Sequence, residues 1–215
     1  MINIIDSLDS RAESTGQDLL NDLADVLTTK WPSITVVYDT NTPSNVYQIW
    51  LSEDVYIELA SSLAFYYKHA TFGFTTDFNH MYNAGRYKII ETDNAVMIHA
   101  RTQGDWNYCA VIAETQNLTD GTSSYGAAVM TNTDRIIAYT DGMYSTGETQ
   151  ISGNFATTPQ YNEQFVPLVA WNTKDIFEHA YWVTARKSTT RGSILQNGTD
   201  YFYVVGMLAV KYEVG

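Results

Sequence analysis

A lone cysteine, Cys109, cannot form an intrachain disulfide, so the fold must hold without covalent staples. Its surroundings, Asn107–Ala113, read as a buried strand, in which a single thiol behaves as a small hydrophobe. A catalytic thiol is the sharper alternative, but no neighbour in sequence would lower its pKa. Charged residues are scarce as well, at 17% of the chain against roughly 25% in ordinary soluble domains. The longest apolar run, Tyr201–Val210, is about half of what a membrane-crossing helix needs. Met1–Ile5 has no basic start and meets acids within a few residues. A secretory signal is therefore not expected, and synthesis in a cytoplasm is. Asn117-Leu-Thr119 and Asn197-Gly-Thr199 fit the glycosylation pattern but are expected to be turns.

Familiar chemical signatures are missing too. The chain contains no GxSxG, HExxH, P-loop, GxGxxG or paired CxxC. Histidines 69, 80, 99 and 179 are scattered. Asp77–His80 and Glu178-His179 place acids beside imidazoles, but successive strand residues point to opposite faces. His99 lies in an alternating segment, where a structural histidine is expected. Glu58, Glu91, Glu114, Glu163 and Glu178 are formally available to a hydrolase of unfamiliar type, yet spacing along the chain does not bring any two together. No cofactor and no metal site is expected.

The charge that is present is lopsided. Of the 24 acidic residues, ten lie within residues 1–60 beside only Arg11 and Lys30. An overall charge of −12 repels phosphate and disfavours a nucleic-acid partner. Arg186, Lys187 and Arg191 form the one basic cluster.

Apolar residues make up 45% of the chain and aromatics 13%, enough for a sizeable core in 215 residues. Within Ser14–Thr29, Leu19, Leu20, Leu23, Val26 and Leu27 recur at spacings of three and four, which predicts an amphipathic helix. Ser14 or Thr15 would cap it, Asp18 suits the dipole of its first turn, and Trp31-Pro32 ends it. Ile4, Ile5 and Leu8 read as an apolar arm before the helix. That helix either packs on its own domain or docks on a neighbouring subunit, which makes Ile4, Ile5, Leu8, Leu19, Leu23 and Leu27 candidate interface residues.

Beyond Pro32 the period changes to that of strands. Strands are expected over 34–38, 46–50, 55–59, 87–91, 95–101, 108–115, 125–131, 135–140, 180–185 and 201–212. Residues 62–71 admit a strand or a short helical turn. Gly- and Asn-bearing turns separate these segments, at Thr119–Gly121, Thr140–Gly142 and Gln196–Gly198 for example. The pattern predicts a mainly β, sandwich- or barrel-like domain over 32–215, preceded by an acidic arm and helix over 1–31. Residues 141–160, polar and Gly/Thr-rich, are expected to form an inserted loop or arm.

Sixteen tyrosines and five tryptophans suit either a core or a contact surface. Trp50, Tyr66, Tyr108, Trp182 and Tyr203 fall within expected strands and read as core. Trp106 and Trp171 flank turns and are the candidate exposed contacts for a receptor or glycan.

The segments Phe165–Trp171, Asp175–Tyr181 and Asn197–Tyr212 resemble the endings of virion proteins of tailed phages and phage-derived tail-like particles. That resemblance implies a non-enzymatic tail, collar, neck or baseplate component. It would close with a strand pair, assemble with itself, potentially as a ring, and meet other virion proteins. The protein would be made in a bacterial host and carried in the particle. No functional residue carries over from it.

Overall fold

The computed structural model describes residues 1–7, 16–39, 46–53, 55–59, 63–67, 86–101, 107–130, 136–139, 165–170, 174–183 and 192–214. Among these the protein is mainly β, a curled antiparallel half-barrel sheet with one helix and a smaller second sheet. The expected inserted segment over 141–160, together with Leu8, Trp106 and Trp171, lies outside the described residues.

Helix α1 spans Gly16–Lys30. Leu19, Leu20, Leu23 and Leu27 are all fully buried, each worth about 1.5–3 kcal/mol on leaving water. Asp18 sits in the first turn and Lys30 in the last, as the helix dipole favours. The Lys30 ammonium also donates to the carbonyls of Thr92 and Asp93 at 2.6 and 2.8 Å, pinning the helix end to a hairpin turn.

The smaller sheet is a meander of β2 (Thr35–Asp39), β3 (Val46–Trp50), β4 (Val55–Leu59) and β5 (Leu63–Tyr67), each antiparallel to the next. The ambiguous aromatic stretch after Ser62 is thus a strand. Ile49, Val55 and Ile57 point inward and are fully buried.

The larger sheet begins with β1 (Asn3–Asp6), which pairs with β6 (Arg86–Glu91), followed by β7 (Ala95–Arg101) and β8 (Asn107–Asn117). Beside β8 lie β9 (Ser123–Met130) and β10 (Ile136–Tyr139). The carboxy-terminal part comprises β11 (Phe165–Ala170), β12 (Asp175–Val183), β13 (Ser193–Asn197), β14 (Asp200–Val205) and β15 (Leu208–Tyr212).

Strand β12 makes the sheet curl. Its start, Asp175–Phe177, pairs with the end of β8, beyond the point where β7 stops. Its later part, Ala180–Trp182, pairs with β15 instead. Between these two stretches His179 takes the left-handed conformation (φ 60°), and the register against β11 shifts between Pro167 and Val169. An irregularity of this kind bends a strand and raises its local twist.

The alternation along β6–β9 splits the interior into two cores. Tyr87, Ile89, Val96, Ile98, Ala100, Ala110, Ile112, Ala127 and Val129 face α1 and the smaller sheet. Ile90, Met97, Cys109, Val111, Ala113 and Ala128 face the opposite way, onto Phe177, Tyr203, Val205, Leu208 and Val210. Strands β6–β9 are therefore a middle layer between α1 with the smaller sheet and the carboxy-terminal strands. A third, smaller cluster of Val183, Phe202, Val204 and Ala209 lies on the far side of those strands, where Phe165 stacks on Phe202 at 3.9 Å.

Three expectations change in detail. The apolar arm is an edge strand of the main sheet, so Ile4 and Ile5 pair with Ile90 and Ile89. Trp31-Pro32 marks a change of secondary structure but not of core, because α1 shares its core with β2–β4 and β6–β9. The apolar run Tyr201–Tyr212 is a hairpin rather than one strand, turning at Gly206-Met207. Gly206 has φ 59°, and a Cβ there would lie 2.6 Å from the Met130 sulfur, so this turn requires glycine.

Candidate contact surface

Strand alternation gives the smaller sheet an outer face opposite its buried isoleucines. Trp50 and Tyr56 are directly paired across β3 and β4, and their rings stack with centroids 4.5 Å apart and planes 29° apart. Two pairs along, on the same face, Gln48 donates from Nε2 to Glu58 Oε2 at 2.6 Å. Trp50 Nε1 in turn donates to Gln48 Oε1 at 3.1 Å. This relay from indole through amide to carboxylate orients the Trp50 ring, on which Tyr56 stacks, and holds one anionic group beside the pair. All four side chains are half-buried, while Val37, opposite Gln48 on β2, is 46% exposed.

Trp50 was expected in the core from its place in a strand; the structure sets it on the outer face instead. Periodicity alone does not say which face of a two-faced sheet is covered. Tyr203 is buried as expected, and Trp182 packs half-buried against the second core. The side chains of Tyr66 and Tyr108 lie outside the described residues.

The candidate interface residues divide. Leu19, Leu23 and Leu27 are fully buried in the chain's own core and present no surface to a neighbour, which corrects the docking-helix alternative. Ile5 packs partly against that core, while Ile4, on the edge strand, is 40% exposed.

Among the described residues, His99, Glu91, Glu114 and Asp175 sit in structural settings, while His69, His80 and Glu163 lie outside the described residues. His99 is buried in β7 with Cys109 as its register partner, and burial pushes the Cys109 thiol above its ordinary range. Glu91 lies 3.8 Å from the Lys30 ammonium, and Glu114 accepts the Trp31 indole N–H at 2.9 Å. Asp175 is buried and accepts from Asn117 Nδ2 at 2.9 Å. Asn117 Oδ1 also accepts the Thr119 N–H, so the first glycosylation-like triplet closes a turn. The second, Asn197–Thr199, turns between β13 and β14.

Among the described residues no cluster of His, Cys, Asp and Glu is arranged to hold a metal ion. Nor is any described helix long and apolar enough to cross a membrane. The sequence matches no protein-family model, no curated protein and no solved structure.

Proposed function

We propose that this chain is a non-enzymatic structural subunit of a phage or phage-tail-like particle, a tail, collar, neck or baseplate component that assembles into a symmetric oligomer. The outer face of β2–β4 is the observation that carries an assembly role. It holds an ordered Trp50–Tyr56 pair beside the exposed Val37, and tryptophan and tyrosine are the aromatic residues enriched at protein interfaces. The particle class comes from the resemblance of residues 165–212 to virion proteins. Immunogold electron microscopy of purified particles from the encoding host tests it. Label at one fixed place on the particle is expected; unlabelled particles would remove the proposal.

The same pair supports a second reading, a receptor- or glycan-binding module of such a particle. Aromatic rings beside an amide and a carboxylate suit the apolar faces and hydroxyls of a sugar. A glycan that quenches tryptophan fluorescence in the parent but not in Trp50→Ala would favour this reading. Silence across a broad glycan panel would dispose of it.

A further inference from the structure

Lys30 shows how this chain holds a cation against an indole. Its ammonium lies 5.3 Å from the centre of the Trp31 ring and 3.8 Å from Glu91 Oε1. Aromatic face, carboxylate and cation thus meet at the end of α1. The outer face of β2–β4 repeats the first two of these parts. Trp50 and Tyr56 supply the rings, and Glu58, two residues along β4 from Tyr56, supplies the carboxylate. The third part is missing from this stretch of chain: residues 31–67 contain no lysine, arginine or histidine, but they do contain Asp39, Glu53, Asp54 and Glu58. We infer that the outer face of β2–β4 takes an arginine side chain presented by a partner protein.

The spacing selects the ligand. Two residues along a strand span about 7 Å, which separates the backbone of Glu58 from the aromatic row. A guanidinium is planar, so it can lie on a ring while its edge donates to a carboxylate beside it. An ammonium is a compact point charge and serves one of these contacts at a time. A carboxylate offers about four acceptor positions, and among the described residues Gln48 fills one of those on Glu58. The Trp50 indole N–H is already satisfied by Gln48, which leaves ring face and anionic oxygen for a ligand. That combination suits a cation better than a sugar, whose hydroxyl oxygens also ask for donors. Exposed Glu53 adds negative charge at the turn that joins β3 to β4. The inference deepens the assembly reading by naming the chemistry of the partner, and it does not depend on the class of particle.

Nuclear magnetic resonance of the isotope-labelled full chain tests it, with a capped Gly-Arg-Gly peptide as the probe. The indole N–H signal of Trp50 is identified by its loss in Trp50→Phe. That signal is expected to shift saturably, with a dissociation constant on the order of millimolar that weakens as salt rises from about 50 to about 500 mM. The same peptide with citrulline in place of arginine keeps the shape and loses the charge, and should bind at least about tenfold more weakly. Glu58→Gln keeps an acceptor for Gln48 while removing the negative charge, and should weaken the arginine peptide by a similar factor. The citrulline comparison needs no variant, so it decides the matter even if Glu58→Gln does not fold. A Trp50 signal that ignores the arginine peptide would overturn the inference, as would equal binding of the two peptides. A response to glycans alone would overturn it in favour of the glycan-binding reading. Particles that lack the chain would remove the particle reading and leave arginine binding untouched, so the two fail separately.

Discussion

Trp31 and Glu114, 83 residues apart, are joined by a 2.9 Å hydrogen bond from the indole Nε1 to a carboxylate oxygen. Trp31 is 4% exposed, stands at the end of α1 and lies 4.9 Å from the Tyr125 ring, so this bond ties the helix to β8 and β9. A buried indole N–H without an acceptor is costly, and so is a half-buried carboxylate without a donor. Trp31→Phe is therefore expected to cost about 1–3 kcal/mol. Glu114→Gln keeps an acceptor and should cost less. Urea unfolding of both variants checks the order, and a Glu114→Gln loss as large as that of Trp31→Phe would contradict it.

The Gly206 turn should be the least tolerant position of the carboxy-terminal hairpin. Gly206→Ala combines a left-handed backbone with a Cβ 2.6 Å from the Met130 sulfur, a loss of about 1–3 kcal/mol. In a Met130→Ala background the overlap disappears and only the backbone penalty remains. The loss caused by the glycine substitution should then shrink. A loss that is the same in both backgrounds would mean that Met130 moves aside without cost.

Cys109 should be chemically silent in the folded protein. Burial raises its pKa, so the thiol is neutral in the native state and ionises more readily once the chain unfolds. Its contribution to stability is therefore fully present below the ordinary thiol value of 9.0 and is lost as pH rises above it. Ellman's reagent at neutral pH should react only after denaturant is added. Prompt reaction in the native state would contradict the burial.

Lys211 donates to Asp200 across a 2.9 Å ion pair, and that hydrogen bond raises the lysine pKa. The pair's contribution is present below the ordinary lysine value of 10.5 and is lost as pH climbs through the raised folded value. Lys211→Met should therefore melt at a temperature closer to the parent's at strongly alkaline pH than at neutral pH. A gap that does not depend on pH would mean that the lysine acts through its aliphatic stem.

Much of this architecture is legible in the sequence. The leucine spacing of α1 and the β-branched and aromatic runs of β2–β4 and β6–β9 each carry a strong period. Less legible were elements whose structure depends on distant partners. Asn3–Asp6 reads as an arm because four residues carry little period, and pairing with β6 makes it a strand. Ser193–Asn197 has one apolar pair and is a strand because it pairs with β14. The turn at Gly206 hides in an apolar run because both flanking strands are buried on two faces. The Trp50–Tyr56 stack required knowing that β3 and β4 pair in this register and that their other face covers α1. No motif announces such a surface, since its chemistry is spread over two strands and its charge over a whole meander.

The assembly role is tested most directly by counting copies of the chain in purified particles with quantitative mass spectrometry against isotope-labelled peptides. A subunit of a symmetric component should appear at a fixed whole number per particle, unchanged between preparations. Absence, or a trace amount that varies with washing, would contradict it.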